Sequence, residues 1–123
     1  VSSKPNADWL EPVTVNKTGS RCVVETNWHD NQERCQMIWE RLSGGGVVIT
    51  TCRKTIPGVA VSKADVAELS SVLRDGGYAD GASVGIDNHV DGSGLLSIGG
   101  GDPLWLTGHQ RSVLAYWLGP NGG

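Results

Sequence analysis

The sequence predicts an α+β domain: a twisted, mostly antiparallel sheet built from strand-turn-strand-helix units, with about three helices packed on one face. Three observations predict it. Short runs rich in Val, Ile and Thr alternate with turn residues. Three segments show helical spacing of apolar residues behind a capping residue. Gly or Pro punctuates most of the junctions. A chain of 123 residues is the size of one ordinary domain.

The elements follow in order. Val1–Pro12, with two prolines and little periodicity, reads as an extended N-terminal arm. Residues 13–119 form the single domain and 120–123 a tail. Val13–Val15 and Arg21–Thr26 are strand candidates joined through Gly19. A first helix is expected from Asp30, which has capping-box spacing to Glu33. Cys35, Ile38, Trp39 and Leu42 then recur as one helical face, and Ser43-Gly44 ends it. Val47–Cys52 and Val59–Val61 are strands on either side of Pro57-Gly58.

A second helix starts at Ser62 with Asp65 at its third position. Val66, Leu69, Val72 and Leu73 supply its apolar face, and Gly76-Gly77 stops it. Ala82–Ile86 pairs with Leu95–Ile98 across the Asn88–Gly94 turn. Leu104–Leu106 launches a third helix at Thr107, with Gln110 at its third position. Its stripe is Val113, Leu114, Trp117 and Leu118, and Gly119-Pro120 ends it. The expected core is Val24, Ile38, Trp39, Leu42, Val48, Val61, Val66, Leu69, Leu73, Ile86, Leu96, Leu106, Leu114 and Trp117.

Composition narrows the function. There is no phenylalanine, so five tryptophans carry most of the aromatic bulk. No run approaches the ~18 apolar residues that span a bilayer, so no membrane partner is expected. A net charge of −3 argues against a non-specific nucleic-acid binder. That charge is unevenly spread. Asp75 to Asp102 holds five acids and no Lys or Arg, whereas Arg34 to Lys63 holds five bases and one acid, Glu40. Three cysteines make an odd set, which reads as an intracellular, cytoplasmic protein with reduced thiols. One disulfide plus a free thiol stays open.

Several residue groups could carry chemistry. Cys22, His29, Cys35 and Cys52 are the right types for zinc, but none of their spacings is a CxxC knuckle. Buried cysteine also packs as a small hydrophobe. Asp87, His89 and Asp91 alternate toward one side of an extended segment and could hold a divalent ion. Ile98 stands where a calcium loop needs its last carboxylate, and Asn, Asp and Gly are ordinary turn residues. The glycine triplets at 44–46 and 99–101 precede strands, the wrong way round for a phosphate loop. There is no HExxH pair among the three histidines.

The remaining group is basic and aromatic. Arg53 and Lys54 lie at a hairpin tip, Lys63 just past its second strand, and Trp28 at the junction of a strand with the expected first helix. These four are the candidate binding residues. No catalytic residue, metal or cofactor is assigned. The expectation is a small non-enzymatic binding or regulatory module acting through a protein–protein surface, with a partner protein or a second copy. One alternative is single-strand nucleic-acid binding through the basic hairpin. Another is a metal-dependent enzyme built on the Asp/His loop.

Overall fold

Two antiparallel meanders, each closed by a helix, make up the fold. The computed structural model describes residues 13–53 and 58–119. The expected arm at 1–12, the tail at 120–123 and Lys54 lie outside those residues. The first meander runs in chain order through β1 (Val13–Val15), β2 (Arg21–Asn27), β3 (Arg34–Arg41), β4 (Val47–Thr50) and β5 (Val59–Val61). A 3₁₀ turn at Lys63–Asp65 leads into α1 (Val66–Asp75). The second meander is β6 (Gly77–Ala79), β7 (Val84–Asn88), β8 (Gly94–Ile98) and β9 (Leu104–Leu106), followed by α2 (Gly108–Leu118).

The segment expected as the first helix is a strand instead, so there are two helices among the described residues and no threefold strand-turn-strand-helix repeat. The physical reason is a shared pattern. Cys35 and Trp39 satisfy both a helical and a period-two spacing, and Met37 completes the second. In β3 these three face inward, in register with Thr26, Cys22 and Val24 of β2. Ile38 consequently turns to the outer face, and Leu42 is 46% exposed. Val48 also lies half-buried on that outer face. These three leave the expected core, and the other expected members are buried. Pairing with β2 supplies backbone partners along the strand, whereas a helix of the same eight residues would leave its first four N–H and last four C=O groups without intrahelical partners. Asp30 caps no helix. It lies in the β2–β3 turn, which closes through Trp28 N–H to Glu33 O at 2.9 Å.

The other two helix starts agree with the sequence reading. Thr107 and Gln110 form a reciprocal capping box on α2. Ser62 precedes the 3₁₀ turn, and its hydroxyl donates to Asp65 at 2.8 Å. β6 is an addition to the expected strands, because Gly76 and Gly77 read in sequence only as a stop. Both have positive φ (86° and 111°) and swing the chain directly from α1 into a strand.

The two sheets meet at β2. β1 pairs only with the first half of that strand, Val13 opposite Val24 and Val15 opposite Cys22. Beyond it β9 takes over the same edge. Trp28 bridges to Leu104, and the His29 N–H donates to Pro103 O at 2.9 Å. The Thr26 hydroxyl donates to the Trp105 carbonyl.

Both helices pack on the inner face of this joined sheet and share one core with it. They are tied to each other by Ser70 Oγ–H to Ala115 O at 2.9 Å. α2 is tied to the first meander by Gln110 Nε2 to Glu25 O at 2.6 Å and Trp117 Nε1 to Gly19 O at 2.8 Å. No helix among the described residues is long and apolar enough to cross a membrane.

Candidate functional site

The β2–β3, β4–β5 and β8–β9 connections converge at one end of the molecule, and Arg53 is their meeting point. Its guanidinium lies 4.0 Å from the centre of the Trp28 ring. It donates two bonds of 3.0 Å to the Asp30 carboxylate and one of 2.8 Å to Asp102. The hydrogen bond from Arg53 holds the Asp30 carboxyl below its ordinary range, and the same bond raises the Arg53 guanidinium.

Of the candidate binding residues, the structure therefore brings Trp28 and Arg53 together. Trp28 is buried, with one ring face under Arg53, so it offers no open platform to a nucleic-acid base. Lys63 lies at the opposite end of the β4–β5 hairpin, against Gly45. A further base of the cationic stretch is also engaged within the chain. Arg41 sits 4.6 Å from the Trp117 ring centre. Glu40, the one acid of the stretch, pairs with Arg21 at 3.1 Å.

The acidic stretch is displayed differently. Asp75, Asp80, Asp87, Asp91 and Asp102 are all exposed. On the outer face of the second meander, cross-strand register sets Tyr78 beside Gly85 and Ser97, and Asp87 beside Leu95 and Trp105. Tyr78 is 58% exposed and lies across Gly85, where a Cβ would come within 2.8 Å of its ring. Together they shape a shallow groove of about 340 Å³ that includes Asp87, Leu95 and Ser97. Trp105 continues this face, packed between His29 and His89 at ring distances of 5.5 and 4.8 Å.

Comparison of the chain with protein-family models, curated protein sequences and solved structures gives no match. Function must therefore be argued from this geometry.

The other sequence candidates resolve as follows. Asp91 closes its own turn, accepting from the Ser93 N–H at 3.0 Å and the Ser93 hydroxyl at 2.6 Å. His89 packs at a tilt against Trp105 rather than joining Asp87 and Asp91 around an ion. Cys22 lies deep in the core, where burial pushes its thiol up to about 11. Cys35 and Cys52 do meet, through Cys52 N–H to Cys35 Sγ at 3.4 Å. Among the described residues, no three His, Cys, Asp or Glu side chains are placed to hold a metal ion.

Sequence reasoning missed two features. Gly81-Ala82-Ser83-Val84-Gly85 has the spacing of a GxSxG elbow, and Ser83 has a positive φ of 54°. It lies in a strand–strand turn, whereas that chemistry needs a strand-to-helix turn. His89 follows the far end of β7, six residues from Ser83 and so about 20 Å along the strand at ~3.3 Å per residue. The Tyr78–Gly85 groove was also missed. Its only signal was a glycine inside a strand-like run, which marks a close approach.

Proposed function

We propose that the protein is a non-enzymatic binding module. Its docking surface is the outer face of the second meander, and its partner is a protein with a cationic surface. The observation that carries this reading is the exposed Tyr78 laid over Gly85 beside Asp87, in a stretch with five acids and no Lys or Arg. An aromatic ring held in a groove supplies contact area at little entropic cost, and tyrosine is enriched at such anchors. The surrounding carboxylates supply steering toward a basic partner.

The charge distribution supports a partner other than a second copy. Docking this face on itself would set acid against acid. Two of the bases that could answer it, Arg53 and Arg41, are engaged in contacts within the chain. The apolar stripes of both helices are buried in the core, and the sheet's outer face is open for binding.

The test is affinity capture from the source organism's lysate with the native protein and with the Tyr78→Ala, Asp87→Lys double variant. The expected result is a basic protein retained by the native chain, released by moderate salt, and not retained by the variant. Light scattering of the native protein should give a monomer. Equal capture by both forms would overturn the reading. Binding of a single-stranded oligonucleotide that disappears when Arg53 and Lys54 are neutralised would replace it with the nucleic-acid alternative.

A further inference from the structure

The loop end of the first meander carries two thiols that the docking surface does not use. Cys35 opens the buried row of β3, and its thiol is 3% exposed. Cys52 follows β4, and the register of Ile38 with Thr50 continues to place it beside the start of β3. A bend at Cys52 turns the chain, and its side chain stays exposed. Its N–H donates to Cys35 Sγ at 3.4 Å, and its own sulfur accepts from Trp28 Nε1 at 3.4 Å. The two thiols are near enough that Cys52 helps to raise the Cys35 thiol, after burial. Cys22 lies four residues from the Cys35 partner along β2, opposite Trp39, and takes no part.

We propose that Cys35 and Cys52 are a thiol–disulfide exchange site that reacts with small disulfides of the glutathione class. The exposed Cys52 reacts first. Its thiol loses a proton to water, and the thiolate attacks one sulfur of the small disulfide. A mixed disulfide forms on Cys52 and one small thiolate leaves. The deprotonated Cys35 then attacks the Cys52 sulfur, and the second small thiolate leaves. The two thiolates take up the two released protons. The protein loses two electrons and two hydrogens, and one small disulfide becomes two thiols. Burial holds the Cys35 thiol up at about 12, so closure is the slow step.

The product would staple β3 to the segment after β4, next to the Arg53 contact with Asp30 and Asp102. The bond would join β3 to the bend after β4, where the Cys52 N–H already contacts the Cys35 sulfur at 3.4 Å.

The protein's own cleavage sites make the test clean. Trypsin releases residues 22–34, 35–41 and 42–53, each with one cysteine. The native protein is incubated with excess oxidised glutathione, alkylated, digested without reductant and weighed. The expected product is peptide 35–41 linked to peptide 42–53, with an intact mass lower by two hydrogens. Cys22→Ala should give the same link, and Cys35→Ser should stop at glutathione on Cys52. A native protein that ends as a glutathione adduct on Cys52, that stays fully reduced, or that links peptide 22–34 would overturn the proposal.

Discussion

Two arginines hold this molecule together at two junctions, and they do so in opposite ways. Arg111 of α2 is 5% exposed. It donates to Leu73 O at 2.9 Å and Arg74 O at 3.4 Å, at the C-terminal end of α1. It also donates to Gly92 O and Ser93 O, in the β7–β8 turn, at 3.1 and 3.3 Å. Its charge is met by carbonyl dipoles, and desolvation lowers its pKa with only Asp75 opposing. Arg53 instead stands between the Asp30 and Asp102 carboxylates at a rim open to water. The buried junction is bound by geometry and the open one by charge. Variants of the two should therefore respond differently to salt and pH.

The largest effect is expected at the buried junction. Arg111→Ala removes the donor to the carbonyl of the buried Leu73 and to those of Arg74, Gly92 and Ser93, of which the last keeps the His89 N–H at 2.8 Å. The expected loss is about 2–4 kcal/mol in a urea melt, unchanged by added salt. Arg111→Lys should recover little of it, since one ammonium cannot span four carbonyls held by a planar fork.

The contrast also explains what the sequence made legible. The capping box at Thr107 and the apolar face of α1 are local patterns, so the order of residues along the chain reveals both. β3 is not legible in that way, because Cys35 and Trp39 fit two periods and only pairing with β2 decides between them. Both arginine junctions are invisible in sequence for the same reason. Arg53 and Asp102 are far apart in the chain, and so are Arg111 and Leu73, so only topology brings them together. Charge segregation is visible, but its consequence is not. Arg53 and Arg41 of the basic stretch are spent on the fold, whereas the five acids of the acidic stretch all stay exposed, Asp102 among them although it pairs with Arg53.

Thiols sharpen the same contrast between sealed and open groups. Cys22 is fully buried, and its thiol titrates at about 11 rather than the usual 9.0. A raised folded pKa means the contribution is complete below the unfolded value and is lost as pH rises through the folded one. Between pH 9 and 11 the unfolded thiol ionises and the folded one does not, so stability should fall. The expected slope is on the order of 1 kcal/mol per pH unit for this thiol. Denaturant midpoints of the native protein and Cys22→Ala across that window would show it. An equal slope in both would remove Cys22 as the cause.

A smaller effect is expected at the open junction. Arg53→Ala should destabilise less than Arg111→Ala, and the difference from native should shrink in molar salt. Its pH response has the opposite sense to that of Cys22. Asp30 has a lowered folded pKa, so its contribution is present above the ordinary carboxylate range and lost as pH falls through the depressed value. Native protein and Arg53→Ala should thus converge in acid. A gap that persists in acid and in high salt would mean that stacking on Trp28, rather than charge, secures Arg53.

The smallest effect on stability is expected where the surface is built for contact. Gly85→Ala introduces a Cβ that meets the movable Tyr78 ring at 2.8 Å and, less closely, the Gly77 carbonyl at 3.3 Å. Alanine also loses less backbone entropy than glycine on folding. Stability should change by no more than about 0.5 kcal/mol. The ring, however, must leave its seat, and the groove loses its floor. Partner binding should then weaken although the melt is unmoved. A Gly85→Ala protein that binds as well as native would show that the groove is incidental and that only the carboxylates recognise the partner. A protein that unfolds more easily would show instead that Tyr78 packs for the fold, as the core tryptophans do.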